Sequence, residues 1–442
     1  MLRALLITLL LVTAADAQIA LPGSGGSVLP GDLAGGLALP PVPHSLPSLA
    51  NGMARPLRRL TQARKLHLIE LLHEHPRLLE TDPDGNLIVR GEVAALSPTD
   101  AALARAGAAG FSIIQARSLG ALGIRLVILR VPTGTSTWRA LRRLRRLDPA
   151  GTYDFDSLYT DSGAVTPARM PAVARAIQPA AAARTSRNGV VGLIDGGVDT
   201  AQPVFHDAVI HRHGCAGADV PSAHGTAVAS LMIGADARFA GAAPGAVLYA
   251  ADVYCGKPTG GSLDAVTAAF GWMVSEHVPV INVSLVGPPN ALLRQVVARV
   301  LAASSLIVAA VGNDGPAAPP LYPAAYPGVI GVTAVDGRHR VLFEAERGPQ
   351  VMFAAPGADI EAARVPRGLA TVRGTSFAAP LVAGLLAARL RGPDPRADQL
   401  AIRELIAQAV HLGPGGRNTL YGYGLVAAGL PRSSWHVPAA TH

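Results

Sequence analysis

Four polar residues of this chain have the types and the neighbours that a serine nucleophile requires. Ser376 lies in the stretch RGTSFAAP, between a Gly-Thr turn and a run of small residues that predicts the start of a helix. Taken alone, such a serine is a helix cap, because its hydroxyl satisfies free amide groups. The alternative is a nucleophile supported by the backbone N–H groups and the positive end of the helix.

The other three residues favour the second interpretation. Asp195 ends the apolar run GVVGLID, His224 begins the small-residue segment HGTAVASLMIG, and Asn313 follows the apolar run SLIVAAVG. Each has an ordinary explanation, since a strand-end aspartate caps turns or binds metals and an asparagine forms turns. Together they supply an acid, a base and a hydroxyl for nucleophilic catalysis, and an amide that donates to an oxyanion.

A parallel sheet is predicted to position these residues. Continuous apolar runs separated by helical segments are typical of parallel strands buried on both faces. The ends of such strands converge at one edge, where sites form. The predicted fold class is α/β, a three-layer, doubly wound, mostly parallel sheet. The runs are GVVGLID, AVLYAADVY, VPVINVSL, SLIVAAVGN, GVIGVTAVD and VMFAAPG.

Chain order separates families of serine hydrolases. An α/β-hydrolase has GxSxG and the order Ser, Asp, His, whereas GTSFA lacks the last glycine. The order Asp195, His224, Ser376 and the blocks LIDGGVD, HGTAVAS, VGND and GTSFAAP resemble the catalytic domain of subtilisin-like serine proteases over residues 188–430. The resemblance implies that Ser376 attacks the scissile carbonyl, His224 transfers its proton and Asp195 orients the imidazole. It also implies that Asn313 and the backbone N–H of Ser376 hold the oxyanion.

The resemblance extends to the substrate cleft. INVSLVGPP is similar to the strand that lines the family's cleft, so Ser284, Leu285, Val286 and, in the VGND block, Gly312 are expected to contact substrate. The family usually has glycine where this chain has Val286, and a β-branched side chain there is expected to narrow the primary pocket. No cofactor is required for the chemistry. Family members often bind calcium, but no ligand set maps onto this chain. The histidines of HRHGC are interpreted as an exposed loop rather than a metal site.

The chain ahead of this domain predicts export and a prosegment. The chain opens with the basic residue Arg3, an apolar stretch and the cleavage-site pattern Ala-Asp-Ala, which together are typical of a cleaved signal peptide. No later segment is long and apolar enough to be a candidate membrane span. A β-α-β-β-α-β pattern then resembles the family's inhibitory, chaperone-like prosegment; a permanent accessory domain is the alternative. The expected divisions are a signal peptide 1–17, linker 18–56, helical segment 57–85, split βαβ (ferredoxin-like) domain 86–159, linker 160–187, catalytic domain 188–430 and tail 431–442.

Composition bears on compartment and partners. The chain has 38 Lys+Arg against 30 Asp+Glu, but scattered basic residues with few aromatic ones argue against a nucleic-acid partner. In an oxidising compartment Cys215 and Cys255 are expected to form a disulfide, with two buried thiols as the alternative. The expectation is a secreted, extracellular or periplasmic endopeptidase that acts on proteins or peptides and binds its own prosegment. A catalytically inactive binding relative and an esterase are the rival classes.

Overall fold

The computed structural model describes residues 62, 64–161, 164–165, 189–237, 239–428 and 430. The predicted signal peptide, the linker 18–56, the tail 431–442 and most of the linker 160–187 therefore lie outside the described residues. Within the described part, no helix has the length and apolar character needed to cross a membrane.

The described chain begins with a helix, α1, over residues 64–74, followed by an antiparallel sheet. Strands β1 and β5 both pair with the second strand, and the remaining order is β2-β4-β3. From β2 to β5 the elements follow the β-α-β-β-α-β order that the sequence pattern indicates. The elements are β1 (Leu79–Thr81), β2 (Leu87–Leu96), α2 (Asp100–Ala108), β3 (Ser112–Leu119), β4 (Ile124–Arg130), α3 (Thr137–Leu147) and β5 (Thr152–Ser157).

The first part of this region differs from the sequence interpretation. The apolar spacing predicts one helical segment over 57–85, but α1 ends at residue 74 and β1 begins at Leu79. Pro76 explains the break, because a proline disfavours helical geometry in the residue before it. Leu79 is fully buried and pairs with Val89, so tertiary contacts rather than helical periodicity decide its structure.

A seven-stranded parallel sheet follows, which confirms the predicted fold class. Its order is β15-β14-β13-β11-β8-β10-β9. The strands from β6 onward are β6 (Thr160–Asp161), β7 (Ala164–Val165), β8 (Val190–Asp195), β9 (Ile210–His213), β10 (Val247–Asp252), β11 (Val280–Val283), β12 (Leu285–Val286), β13 (Leu306–Ala310), β14 (Ile330–Val335), β15 (Val351–Pro356), β16 (Ala358–Ala363) and β17 (Leu369–Arg373). The helices are α4 (Ala223–Ile233), α5 (Leu263–Ser275), α6 (Ala291–Ala302), α7 (Thr375–Ala387) and α8 (Pro395–Gln408).

Helices cover both faces of this sheet. One apolar core lies between the sheet and α4, α7 and α8, and a second lies between the sheet and α5 and α6. The second core also includes side chains of β2, β3 and β4, so the antiparallel sheet packs on the outer side of α5 and α6. Gly271 of α5 permits this approach, because a Cβ there would lie 2.6 Å from Cδ2 of Leu119.

The HRHGC segment is exposed as predicted, but it is a strand rather than a loop. Ile210–His213 form β9, the edge strand of the parallel sheet, which pairs with β10. Its histidines are stacked against aromatic rings rather than gathered around a metal: His211 lies 4.6 Å from Tyr249 and His213 lies 4.6 Å from Trp272, between ring centroids. An edge strand with exposed polar side chains lacks the apolar run that marks the inner strands.

Candidate active site

Asp195 and His224 form a buried pair at the end of β8. Asp195 is the last residue of β8, and both its carboxylate oxygens lie close to Nδ1 of His224, at 2.9 and 3.0 Å. Asp195 is fully buried and His224 is 6% exposed. Oδ1 of Asp195 also accepts from the N–H of Gly196 at 2.7 Å, which fixes the carboxylate in place. The imidazole is therefore held through Nδ1, with Nε2 on the opposite side of the ring.

Gly225 explains how α4 brings His224 to this position. Ser222 caps the helix by accepting a hydrogen bond from the N–H of Gly225. A Cβ on Gly225 would lie 2.2 Å from the carbonyl oxygen of Gly196. Glycine is thus required where the helix start touches the turn after β8. Close packing against Gly196 therefore explains why a glycine follows His224 in the sequence.

Ser376 lies in the first turn of α7. Gly374 precedes the helix with φ at +136°, a conformation that favours glycine. The Ser376 hydroxyl donates to the carbonyl oxygen of Ser284 at 3.1 Å, and the Ser284 hydroxyl donates to the carbonyl oxygen of Ser376 at 2.9 Å. The adjacent Phe377 ring lies 5.2 Å from the His224 ring, between centroids. These contacts bring Ser376 and His224 to the same edge of the sheet.

Asn313 is tied to the start of the same helix. Its Oδ1 accepts from the N–H of Thr375 at 3.2 Å, and the N–H of Gly312 donates to Oγ1 of Thr375 at 3.2 Å. Because the amide oxygen faces Thr375, the amide nitrogen faces away from it as a donor. Asp195, His224, Asn313 and Ser376 are therefore gathered in one place, at strand ends and helix starts.

Burial and mutual interaction change the pKa values of His224 and Asp195. Burial lowers the pKa of His224, but the charge and the hydrogen bond of Asp195 outweigh it and raise the pKa to about 9. Burial raises the pKa of Asp195, and the nearby imidazole opposes that change. Nε2 of His224 is buried and has no hydrogen-bond partner within the described residues. Asp195 therefore orients the imidazole on one side, and Nε2 on the other side becomes a base once it loses its proton.

The segment after β5 occupies the cleft beside Ser376. Its strand β6 pairs antiparallel with β12, with Thr160 opposite Val286 and Asp161 opposite Leu285. On its other side, the N–H of Tyr159 donates to the carbonyl oxygen of Gly261 at 2.8 Å. The segment thus adds one antiparallel strand beside the cleft stretch INVSL. Ser284, the residue before β12, is the one bonded to Ser376, so the segment approaches the serine directly.

The chain continues past the serine on the far side. Strand β7 pairs antiparallel with β17, with Ala164 opposite Arg373 and Val165 opposite Val372. β17 leads through Gly374 into α7. The chain from β6 to β7 is thus anchored on both sides of the helix start that carries Ser376.

A pocket for one aromatic ring was missed by sequence reasoning. Tyr159 is 1% exposed, and its hydroxyl donates to the carbonyl oxygen of Pro288 at 3.3 Å. A Cβ on Gly287 would lie 2.4 Å from the Tyr159 ring, and a Cβ on Gly261 would lie 2.0 Å from the Tyr159 carbonyl oxygen. The only sequence signal is the presence of glycines in GGS and VGP. Leu285 and Val286 are also fully buried beneath this segment.

Two carboxylates of β5 contact helix starts in the parallel-sheet region. Oδ2 of Asp154 accepts from the N–H of Ala291 at 2.7 Å, in the first turn of α6. Oδ1 of Asp156 accepts from the N–H of Asp264 at 3.2 Å, in the first turn of α5. Acceptors at helix N-termini satisfy free donors and interact favourably with the helix dipole. The antiparallel sheet is therefore held by polar contacts as well as apolar packing.

Cys215 and Cys255 form the predicted disulfide. It joins the turn after β9 to the turn after β10. Within the described residues, one cluster has three potential metal ligands close enough to bind the same ion. It consists of the two cysteines and Asp252. Since both sulfurs are in the disulfide, the group offers no thiolate ligands. No calcium ligand set is assigned.

Comparisons with known proteins agree with this architecture. Residues 186–424 match the family model described as the subtilase family. The chain is 31% identical over 253 residues to the Minor extracellular protease Epr of Bacillus subtilis (strain 168), covering 55% of this chain and 38% of that protein. It is 31% identical over 259 residues to Subtilisin E of the same organism, covering 55% and 65%. The match thus spans less than two thirds of either relative.

A solved structure supports the fold. Fervidolysin from Fervidobacterium pennivorans, described as a keratinolytic enzyme related to subtilisin, superimposes with a TM-score of 0.64 at 20% identity. The superposition covers 78% of this chain and 61% of fervidolysin. At that identity the likeness concerns the fold.

Proposed function

Because this chain belongs to the subtilase family, we propose that it is a secreted serine endopeptidase that is made as a self-processing precursor. The observation that carries the proposal is the Asp195–His224 pair beside Ser376, with Nδ1 held and Nε2 turned away from the carboxylate. Proteins or peptides are the substrates, and no cofactor takes part in the chemistry. A subtilase catalytic domain that lacked one of these side chains would instead favour a binding role.

His224 acts as general base and then as general acid. Nε2 accepts the Ser376 proton as Oγ attacks the scissile carbonyl, and the resulting imidazolium is stabilised by Asp195. The same proton is then donated to the leaving amine, which leaves an acyl-enzyme on Ser376. Water repeats the sequence to release the acid. In the precursor the Ser376 hydroxyl donates to Ser284, so a rotation of its side chain precedes the attack.

Asn313 and the backbone N–H of Ser376 stabilise the tetrahedral oxyanion. The contact between Oδ1 of Asn313 and the N–H of Thr375 supports this role, because it directs the amide nitrogen away as a donor. Loss of a side-chain donor of this type lowers kcat by about 10²–10³-fold, a value that is known for subtilisin. Ser284, Leu285, Val286 and Gly312 form the adjoining substrate cleft.

The split βαβ domain over residues 86–159 acts as the prosegment. Two features support this role: the antiparallel sheet packs on α5 and α6, and its extended end pairs with β12 as a substrate strand would. A prosegment held in the same chain aids folding, because the non-local contacts of parallel sheets form slowly. The strand pairings bracket the serine between Asp161 and Ala164. We therefore expect self-cleavage at one of the three peptide bonds between these two residues.

Three features support secretion. The first residues have the pattern of a cleaved signal peptide. The disulfide between Cys215 and Cys255 is typical of oxidising compartments. The relative named Minor extracellular protease Epr is, by its name, extracellular.

Ser376→Ala tests the proposal directly. Wild type and variant are expressed side by side, their N-termini are sequenced, and casein digestion is measured. We expect wild type to begin between residues 162 and 164 and to digest casein. The variant retains residues 86–159 and loses activity by several orders of magnitude, because it lacks the nucleophile.

The rival classes give different results in the same experiment. An inactive binding relative digests nothing in either form. An esterase hydrolyses a short-chain ester, with inhibition by a serine-directed reagent, but leaves casein intact. A permanent accessory domain is indicated if active wild type keeps residues 86–159. A variant that digests casein at the wild-type rate contradicts the assignment of Ser376.

A further inference from the structure

A proline in α7 changes the hydrogen bonding around the proposed nucleophile. In a regular helix the carbonyl oxygen of Ser376 accepts from the N–H four positions further on, but that position is Pro380. Proline has no N–H, and its ring displaces the carbonyl group four positions before it. The hydroxyl of Ser284, which lies outside the helix, donates to this carbonyl oxygen at 2.9 Å. The backbone of Ser376 is therefore held by a side chain of the neighbouring strand segment.

Asn282 sets the direction of the Ser284 hydroxyl. Nδ2 of Asn282 donates to Oγ of Ser284 at 2.9 Å. Because an amide nitrogen can only donate, the hydroxyl hydrogen is directed to the carbonyl oxygen of Ser376. Asn282, Ser284 and Ser376 are all fully buried, so water does not compete for these donors. We call the two hydrogen bonds that join these residues the positioning chain.

Asn282 is polar at a position where an apolar side chain would be more stable. It belongs to β11, in which Val280 contributes to the core on the α7 side and Ile281 and Val283 contribute to the opposite core. Side chains alternate along a strand, so Asn282 faces α7. Within the described residues, its Oδ1 is buried and makes no hydrogen bond. A buried acceptor without a donor destabilises the fold, so packing alone does not explain an asparagine here.

We propose that Asn282 is a positioning residue for the reaction. Through Ser284 it holds the backbone of Ser376 where Oγ can attack and where the N–H can donate to the oxyanion. The inference rests on the proposed endopeptidase function. Asn282 is fully buried and does not touch the substrate. Its effect therefore falls on kcat rather than KM, because a slightly displaced nucleophile slows the chemical step while the contacts that bind the substrate stay the same.

Single and double variants of the mature enzyme test this role. kcat and KM are measured with one peptide amide, and rates are normalised to the folded fraction by circular dichroism. We expect Ser284→Ala to lower kcat by roughly tenfold or more and Asn282→Leu by roughly three- to tenfold, with KM within about twofold of wild type. Losses of this size still let each precursor mature on longer incubation. The double variant should have the kcat of Ser284→Ala alone, because Asn282 acts through that hydroxyl.

Ser305→Ala is the matched control. Ser305 directly precedes β13 and is 1% exposed, and within the described residues its Oγ makes no hydrogen bond. Like Ser284→Ala, this change removes one buried hydroxyl, but it leaves the positioning chain intact. We expect wild-type kcat and KM. A purely structural role of Asn282 would instead reduce the amount of folded Asn282→Leu enzyme and leave the kcat of the folded enzyme unchanged.

Each outcome bears on the inference. If both single variants keep the wild-type kcat, or if KM rises while kcat does not change, Asn282 does not position the nucleophile and the inference is wrong. It is equally wrong if the two losses multiply in the double variant, or if Ser305→Ala lowers kcat as much as Ser284→Ala does. If Ser284→Ala does not fold, the kcat of Asn282→Leu decides. If wild type cleaves no peptide at all, the proposed function itself is wrong.

Discussion

The buried ring of Tyr159 gives a quantitative test of how the cleft binds a chain. Synthetic peptides of residues 154–161 carrying Tyr, Phe or Ala at position 159 are expected to inhibit the mature enzyme competitively. An aromatic side chain buries about 150–250 Å². At about 25 cal/mol/Å², and allowing for the Cβ that alanine retains, the ring contributes about 3 kcal/mol. We therefore expect the inhibition constant of the alanine peptide to rise by roughly 100-fold.

Phenylalanine separates the ring from its hydroxyl. It retains the apolar contact and loses only the hydrogen bond to the carbonyl oxygen of Pro288, which is worth about 0.5–1.5 kcal/mol, or roughly two- to twelvefold in the inhibition constant. Gly287→Ala in the enzyme is the matched change on the other side, because its Cβ would lie 2.4 Å from the ring. Gly287→Ala is expected to weaken binding of the tyrosine peptide strongly and binding of the alanine peptide little. The effects of the enzyme change and the peptide change on the inhibition constant are therefore not additive. If the inhibition constants of the tyrosine and alanine peptides differ by less than threefold, the ring pocket does not contribute to binding as proposed.

Three further results are expected. Since the pKa of His224 in the precursor is raised to about 9, self-processing is expected to accelerate as pH rises from 7 toward 9. The stability that the ion pair with Asp195 contributes is fully present below pH 6.5 and is lost over the same rise in pH. A processing rate on a Western blot or a melting temperature that does not change with pH contradicts this expectation. Replacing Cys215 and Cys255 by alanine lowers the free energy of unfolding by about 3–4 kcal/mol, because the disulfide closes a 40-residue separation; an unchanged denaturant midpoint excludes that contribution. Val286→Gly is expected to raise kcat/KM for substrates with phenylalanine before the scissile bond, relative to those with alanine, by roughly tenfold. An unchanged ratio would show that a residue other than Val286 limits the size of the primary pocket.

Residues with a local signal were predictable from the sequence. Asp195, His224, Asn313 and Ser376 each adjoin an apolar strand or a small-residue helix, and parallel strands end at one edge. Their types and chain order therefore sufficed to predict the fold, and they lead to the chemistry that we propose. The disulfide followed from having two cysteines in a chain with a signal-like start.

Features that depend on distant contacts were not predictable. Arg64 and Asp314 form an ion pair across 250 positions, and nothing near either residue indicates the other. β9 has exposed polar side chains because it is an edge strand, so it lacks the pattern of the inner strands. Glu346 gives no sign in the sequence that it is buried. These features arise from packing, which sequence periodicity does not report.

The anchoring of the chain on both sides of Ser376 has a kinetic consequence. After the proposed self-cleavage, the segment ending at β6 would belong to a separate molecule, whereas β7, which pairs with β17, would remain joined to the enzyme. The first can diffuse away and rebind at a rate that depends on concentration. The second detaches at a rate that dilution does not alter. The activity released by the first step should therefore increase in amplitude on dilution, whereas the step that detaches β7 should keep its amplitude and its rate.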